Sequence, residues 1–396
     1  ENALWDFLYE MGWRQFFPGE IWEVLPDEAV PRLALDRFET PSFYQRTLGV
    51  GHGLRSERVE PHTQWRRRNR FVSGVSIASS HAYGAIIRAN QDAFDQHPEY
   101  LALVDGVRQG SKFCISNPGL RQLVVNHAMA YFHDNPQAES ISMEPSDGGG
   151  WCQCEECAAM GSVSDRAVIL ANTVAEAIQS LGYGTKYVGM LAYNLHSPPP
   201  SVRVHSNVVV RAATNGVREG YTLWEVLEGW RRQGATMGVS DFFSVFYWDQ
   251  SLPACQKASD LRDIADSLKR YHEDGVRYFN VAISDNWGAA GLGSYVTARM
   301  LWNIAETDRL EELFQDFIER SFGPAAEPME AFFRLIHVVG SDDRRPMIRQ
   351  DLIARMYRRL GEARDMTASP AILRRLDELV LLTRYLDLYH QFSRAS

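Results

Sequence analysis

The sequence lacks the motifs and runs that define several large protein classes. No G-x-G-x-x-G follows the first predicted strand, and neither a Walker sequence nor H-E-x-x-H is present. These absences argue against a nucleotide-binding fold and against a zinc peptidase. No apolar run is long enough to cross a bilayer, and no signal peptide is visible in a chain that opens with Glu1-Asn2-Ala3-Leu4-Trp5. Because this opening already has a helical pattern, we expect the natural N-terminus to lie upstream.

The chain also lacks an excess of positive charge. Its 396 residues include 41 Lys and Arg against 50 Asp and Glu, which gives a net charge of -9. This balance argues against nucleic acid or an anionic membrane as the main partner. A hydrophobic share of 45%, with 10 Trp, 16 Tyr and 19 Phe, is typical of a globular protein with one large domain and an accessory one.

Cysteine is scarce, but most of it is clustered. The five cysteines are Cys114, Cys152, Cys154, Cys157 and Cys255. The C-x-C-x-x-C cluster with the distant Cys114 can supply four thiolates to a structural zinc ion, which would leave no open position for catalysis. Disulfides in an oxidising compartment are the alternative, although their narrow geometry makes pairing within six residues awkward. A catalytic metal is disfavoured, so we expect no catalytic cofactor.

The stretch from Ser140 to Cys157 carries the strongest functional signal. Alternating residues up to Met143 lead into Glu144-Pro145 and Asp147, and three glycines precede Trp151. Such a pattern indicates a strand that ends in a loop. Two carboxylates at a strand end can act as acid, base or charge stabiliser, and the flat face of Trp151 suits a sugar ring. The structural alternative is a loop in which Asp147 only accepts hydrogen bonds from backbone amides.

Short apolar or β-branched segments alternate with amphipathic helical stretches along most of the chain. This alternation predicts βα units and a parallel sheet, and eight strands over about 250 residues match a (β/α)8 TIM-like barrel. The predicted strands are Ser42–Leu48, Arg70–Ile77, Ala102–Ile115, Ser140–Glu144, Lys186–Tyr193, Asn207–Ala212, Met237–Tyr247 and Arg277–Ile283. The predicted helices between them are Leu120–Phe132, Asp165–Leu181, Leu223–Gln233 and Ala258–Glu273.

The pattern predicts three parts. Residues 1–30 form the end of an N-terminal α/β domain, residues 31–305 form the barrel, and residues 306–396 form a C-terminal helical bundle. The dipeptide Asp105-Gly106 is a hairpin signal, so we expect the third strand region to be irregular.

Polar and aromatic residues recur just after the predicted strands, where barrels build their active sites. Carboxylates and amides can bind hydroxyls there, while aromatic rings stack on sugar faces. The predicted substrate-binding residues are His81, Tyr83, Trp151, Tyr193, Asn194, Asn215, Asp241, Tyr247, Trp248 and Trp287, with His196 nearby. Each has a structural alternative: His81 and Asp241 as caps, Asn194 and His196 as parts of a rigid turn, and Trp248 and Trp287 as core residues.

Several motifs resemble known families. The opening, with Gly12-Trp13-Arg14-Gln15-Phe16-Phe17-Pro18-Gly19-Glu20, resembles the end of the small domain before the barrel in hexosaminidases and α-glucuronidases. The chain also resembles a bacterial family catalogued as a domain of unknown function, to which glycoside hydrolase family 163, endo-β-N-acetylglucosaminidases acting on N-glycans, belongs. The motifs concerned are His97-Pro98-Glu99-Tyr100, Cys114-Ile115-Ser116-Asn117-Pro118, the Asp147 to Cys157 run and Leu292 to Trp302.

The resemblance implies a retaining glycosidase barrel, secreted or periplasmic, that acts on an oligosaccharide or glycoprotein glycan with possible help from the N-acetyl group. It implies Glu144 as general acid/base, Asp147 as the assisting carboxylate, and Asp285 or position 282 as the second carboxylate. In this family a Glu precedes the Ser-Asp-Asn-Trp segment, but this sequence has Ala282. A natural loss of the carboxylate, an engineered substitution and a loose alignment are all open, so the alternative function is an inactive carbohydrate-binding barrel. No oligomeric state is predicted.

Overall fold

The structure is a computed structural model that describes residues 2–26, 36, 38–52, 54–182, 185–245, 256–340 and 348–395. It divides into two compact units. The sheet unit comprises Ser73–Asp241 and Gly275–Asn280, and the helical unit comprises Glu1–Val72, Phe242–Asp274 and Val281–Ser396. These boundaries differ from the three predicted parts, which stay a prediction.

The elements confirm the predicted alternation of strands and helices. The strands are β1 (Arg14–Gln15), β2 (Glu23–Val24), β3 (Gln45–His52), β4 (Leu101–Val104), β5 (Val107–Phe113), β6 (Ser140–Ser142), β7 (Tyr187–Ala192), β8 (Val208–Ala213), β9 (Thr236–Phe242) and β10 (Tyr278–Ser284). The helices are α1 (Asn2–Glu10), α2 (Ser56–Arg68), α3 (Tyr83–Ala89), α4 (Gln91–Gln96), α5 (Pro118–Asp134), α6 (Glu155–Ala159), α7 (Val163–Ser180), α8 (Leu223–Arg232), α9 (Leu261–Glu273), α10 (Trp287–Trp302), α11 (Leu310–Phe322), α12 (Ala326–Ile336), α13 (Arg349–Asp365) and α14 (Pro370–Ala395).

The sheet unit is built on a curled parallel sheet. Strands β6, β7, β8 and β9 pair in this order, all parallel, and the first residues of β10 follow β9. Every residue of β8 is buried, as expected for a parallel strand covered on both faces. The helices begin at clear caps, since α7 and α8 each have a capping box, formed by Ser162 with Asp165 and by Thr222 with Glu225. This arrangement is consistent with a TIM-like fold, but a closed barrel of eight strands is not shown.

The predicted third strand is wrong in type. Ala102–Ile115 forms an antiparallel hairpin of β4 and β5, a two-stranded sheet of its own. Asp105 and Gly106 make its two-residue turn, and both have positive φ, at 51° and 83°. That backbone is the turn the Asp-Gly signal predicts.

The predicted second strand, Arg70–Ile77, is not a strand in the structure. The chain before His81 runs beside β6 mainly through serine side chains. Ser140 Oγ accepts from the amide of Ala78 and donates to the carbonyl of Ser76, both at 2.8 Å, and Ser142 Oγ donates to the carbonyl of Ser80 at 2.6 Å. Hydroxyl groups thus replace the regular backbone ladder, which is how serine competes with secondary structure.

The helical unit has an aromatic core. Phe16 packs edge-on against Phe317 with ring centroids 5.1 Å apart, and Phe17 packs on Trp22 at 4.3 Å. Arg14 also pairs with Asp316 at 2.8 Å. The opening residues therefore belong to the core of this unit. The predicted helical C-terminal region is confirmed by α10 to α14. Over the described residues, no helix combines the length and apolarity needed to cross a membrane.

Candidate active site

The candidate site begins where β6 ends. Glu144 follows this strand, and Pro145 stops the ladder because it lacks an amide proton. The side chain of Glu144 has no exposed surface. Its Oε2 accepts from the amide of Leu191 at 2.6 Å, and its Oε1 lies 2.9 Å from Nε2 of His196. An ionised carboxylate only accepts, so Nε2 of His196 carries the proton.

This placement corrects the predicted role of Glu144. A general acid must reach the glycosidic oxygen, but the carboxylate of Glu144 is covered and holds His196 and the backbone of β7. His196 is itself only 3% exposed, and it lies edge-on to the rings of Trp151 and Tyr193, at 5.7 and 6.2 Å. Glu144 is therefore a positioning residue in this structure.

Asp147 is the exposed carboxylate of the loop after β6. Its Oδ1 accepts from the amide of Gly148 at 2.7 Å, and its negative charge acts on the hydroxyl of Tyr193. Burial, reinforced by the charges of Asp147 and Glu144, raises the pKa of Tyr193, so its hydroxyl keeps its proton at neutral pH. The site thus presents a carboxylate and a phenol donor to solvent.

His81 lies beside this pair. Its ring centroid is 6.2 Å from that of Tyr193, and its side chain is 44% exposed. Nδ1 donates to the carbonyl of Pro145 at 2.7 Å, because a carbonyl oxygen only accepts. This bond fixes the ring and leaves Nε2 as the nitrogen that can exchange a proton with a ligand. The assignment of His81 to the substrate site stays a prediction.

Lys112 is a site residue that sequence reasoning missed. It lies near the end of β5, and its Nζ donates to the carbonyls of Ser146 and of Asp147, the latter at 3.4 Å. Nζ also lies 5.2 Å from the ring centroid of Trp151. Burial lowers the pKa of Lys112, while the negative charges of Glu144 and Asp147 oppose that shift. Both carboxylates therefore act on the same ammonium group. Nothing in a lysine on a hairpin strand signals this contact.

Arg211 was also missed. It lies within β8, where all neighbours are apolar, and Nη2 donates to Ser79 Oγ. Burial lowers its pKa to about 10, and the charge of Glu144 opposes that shift. Arg211 therefore stays cationic at neutral pH and compensates the buried carboxylate. A lone charge in a fully buried strand was the available signal.

The remaining predicted residues of the sheet unit fall into two groups. Asn215 is exposed, and Asn194 is half-buried in a turn with φ of 51°, a conformation that asparagine tolerates. The predicted substrate-binding roles of Tyr83 and Asp241 are corrected, because both side chains are buried and present no surface to a ligand. Tyr83 stacks on Phe113 with centroids 4.1 Å apart, and Asp241 accepts from the hydroxyl of Thr214 at 2.7 Å.

Ala282, Asp285 and Trp287 belong to the helical unit. Asp285 pairs with Arg58 at 3.3 Å and accepts from Nε1 of Trp287 at 3.1 Å. With Ser284 and Tyr385, Asp285 and Trp287 line a cavity of about 820 Å³ in that unit. Tyr247 and Trp248 lie outside the described residues. Within the sheet unit, the predicted site residues His81 and Tyr193 lie beside Asp147.

The four predicted metal ligands do come together. Cys114, Cys152, Cys154 and Cys157 are buried free thiols, and their sulfurs all lie within 4.8 Å of one another. This donor set suits a metal ion that prefers thiolates.

Three comparisons bear on the chain. The profile of the family described as "Domain of unknown function (DUF4838)" matches residues 18–333. An O-GlcNAc hydrolase mutant from Thermobaculum terrenum is similar in structure, with 12% identity and a TM-score of 0.48, over 87% of this chain and 83% of that chain. A family GH115 4-O-methyl-α-glucuronidase with specificity for decorated arabinogalactans has 11% identity and a TM-score of 0.47, over 84% of this chain and 46% of that chain. No curated protein sequence matches. Likenesses this weak carry no information on activity.

Proposed function

Because the chain belongs to the family described as domain of unknown function DUF4838, a description that names no reaction, we propose the function from the site itself. The chain is a glycoside hydrolase that cleaves a β-linked glycan containing N-acetylglucosamine. The family match bears out the predicted resemblance to a family catalogued as a domain of unknown function, and it names no activity. The narrower assignment to glycoside hydrolase family 163, with endo action and retention, is part of the proposal, as is a secreted or periplasmic location.

One observation supports the proposal most strongly: the rings of His81 and Tyr193 lie 6.2 Å apart, and burial, with the charges of the exposed Asp147 and the buried Glu144, raises the pKa of Tyr193. An exposed acid and a phenol, with His81 beside them, match the donors and acceptors of a sugar ring. The buried layer below, Glu144 with His196, keeps these groups in place.

The proposed reaction uses the substrate's own acetamido group. Its oxygen attacks C1 as the bond from C1 to the leaving oxygen breaks, and the leaving oxygen takes a proton from Nε2 of an imidazolium at His81. Asp147 accepts a hydrogen bond from the acetamido N–H and stabilises the positive charge that develops there. Water then attacks C1, the bond from C1 to the acetamido oxygen breaks, and the proton of the water passes to the neutral imidazole of His81. This step restores the N-acetyl group and leaves the configuration at C1 retained.

The test is release of oligosaccharide from a glycoprotein, measured by mass spectrometry, for the parent chain, Asp147→Asn and Asp95→Asn. Asp95 is an exposed acid on α4 and serves as the matched control. We expect Asp147→Asn to lower kcat/KM by about 10²–10³-fold, because charge stabilisation is lost, and Asp95→Asn to leave it unchanged. Equal activity of Asp147→Asn and the parent chain would remove Asp147 from this role.

A second candidate function is glycan binding without cleavage. Ala282 favours it, because the resembling sequences have a Glu at this position and Ala282, on β10, supplies no carboxylate. Calorimetry with an N-acetylglucosamine oligosaccharide separates the two. Binding without turnover, in the parent chain and in Ala282→Glu, would support the binding protein, whereas turnover by the parent chain would exclude it.

A further inference from the structure

We propose that Cys114, Cys152, Cys154 and Cys157 hold one structural zinc ion as four thiolates. The cysteines come from two segments of the sheet unit. Cys114 directly follows β5, Cys152 and Cys154 lie between Trp151 and α6, and Cys157 lies in α6. All four side chains are buried, so the site is closed to solvent.

The spacing of the sulfurs fits a tetrahedral ion. Zinc–sulfur bonds of about 2.3 Å place the sulfurs of a tetrahedron about 3.8 Å apart. The sulfur of Cys114 lies 3.7 Å from that of Cys154 and 3.9 Å from that of Cys157, and the sulfurs of Cys152 and Cys154 are 3.4 Å apart. Two disulfides would instead need two sulfur pairs at about 2.05 Å with a narrow range of torsion angles. The arrangement has four sulfurs converging on one point.

Hydrogen-bond donors around the sulfurs also suit thiolates. The backbone amides of Leu103, Ser116 and Cys157 donate to the sulfurs of Cys152, Cys157 and Cys154, at 3.3, 3.4 and 3.4 Å respectively. The guanidinium of Arg108 lies 3.8 Å from the sulfur of Cys152. A zinc ion with four thiolates carries a net negative charge, and burying such a charge requires donors of this kind.

The ion would hold the loop that carries Asp147. Trp151 directly precedes Cys152, which anchors the loop's far end. Lys112, two residues before Cys114, donates to the carbonyls of Ser146 and Asp147 at its near end. The metal thus fixes the hairpin and the loop against each other. Four thiolates leave no position for water, so its role is structural. Any effect on catalysis rests on the proposed function, but the metal site does not.

The first experiment measures metal content after purification without chelators, by plasma mass spectrometry. The parent chain is compared with Cys114→Ser and with Cys255→Ser, which removes the cysteine outside this set. We expect one zinc per chain in the parent and in Cys255→Ser, and almost none in Cys114→Ser. Three results would overturn the proposal. The first is a metal-free parent chain that takes up no zinc on reconstitution under reducing conditions, and the second is iron bound at one equivalent. The third is an intact mass that is lower by the hydrogens lost when two disulfides form.

A second variant guards against simple misfolding of Cys114→Ser. Histidine is also a zinc ligand, so Cys154→His should keep the metal where Cys154→Ser loses it. Hydrogen exchange then reports on the loop. Removing zinc from the parent chain should speed exchange at the amides of Leu103, Ser116 and Cys157, while α7 stays protected. Unchanged exchange at these three amides after metal removal would contradict the proposed ligation.

Discussion

The ends of β6 and β10 carry the same kind of sequence, but their surroundings differ. After β6, the charge of the exposed Asp147 acts on Tyr193, and the buried Glu144 is hydrogen-bonded to His196. After β10, Asp285 is paired with Arg58 and with the indole of Trp287. In the sequence, an acidic residue and an aromatic residue follow each of these two strands. Only the first has a layer of titratable side chains behind an exposed carboxylate.

The difference lies in what covers each tryptophan. Trp287 is 6% exposed and packs edge-on against Trp65, with centroids 4.7 Å apart, and against Phe17 at 6.4 Å. Trp151 is 9% exposed, and each of the two indoles has an imidazole beside it, His196 for Trp151 and His62 for Trp287. Trp151 differs in having the ammonium group of Lys112 5.2 Å from its ring centroid. Groups with a shifted pKa are concentrated at functional sites, and Lys112 beside Trp151 is such a group. We therefore expect substitutions after β10 to act on stability and those after β6 to act on function as well.

The largest effect in this comparison is expected for Trp287→Ala. Loss of a buried indole from an aromatic cluster leaves a cavity, so the free energy of unfolding should fall by about 3–5 kcal/mol. Urea denaturation followed by circular dichroism measures this. Phe38→Ala is the control, because Phe38 is 92% exposed and its loss should be nearly neutral. A similarly small change for Trp287→Ala would show that this ring belongs to an open ligand surface.

Much of the fold could be predicted from the sequence, because in many elements the local sequence pattern agrees with the burial of the residues. The apolar run of β8 and the caps of α7 and α8 each specify one structure. The prediction failed where side chains replace backbone partners. The serine-rich chain beside β6 has strand-like composition, but its hydrogen bonds run through Ser140 and Ser142. Whether this segment pairs as a regular strand depends on Ser140, which lies more than sixty residues further along the chain. No local sequence pattern contains that information.

The candidate site was less predictable, since exposure decides roles and depends on tertiary packing. Residue type and strand-end position were enough to select Asp147, His81 and Tyr193, which do lie together. They were not enough to show that Glu144 is covered or that Lys112 reaches the loop. The hairpin that carries Lys112 lies outside the parallel sheet, so no strand-order argument could place it there.

A smaller effect is expected for Glu144→Gln. The substitution keeps the size of the side chain but removes the charge that accepts from Leu191 and His196 and compensates Arg211. The free energy of unfolding should fall by about 2–3 kcal/mol. Thermal and urea unfolding measure it, with Glu176→Gln, an exposed change on α7, as the control. A neutral result would mean that the contacts of this carboxylate with Leu191 and His196 add nothing to the stability of the fold.

The smallest effect, and the opposite sign, is expected for Asp285→Asn. Burial raises the pKa of Asp285, and the charge of Arg58 only partly opposes this. A carboxyl whose folded pKa lies above its unfolded value binds more protons when folded, so its contribution favours folding at low pH and is lost as pH rises through that window. Asp285→Asn should therefore leave stability at pH 7 unchanged or raise it by less than about 1 kcal/mol, since Arg58 is partly exposed.

Urea unfolding of the variant and the parent chain between about pH 3 and 7 gives the difference in the free energy of unfolding, which should grow with pH. A variant that loses stability at pH 7 would show that the pair with Arg58 outweighs the burial of the acid, and the contrast with Glu144 would then disappear.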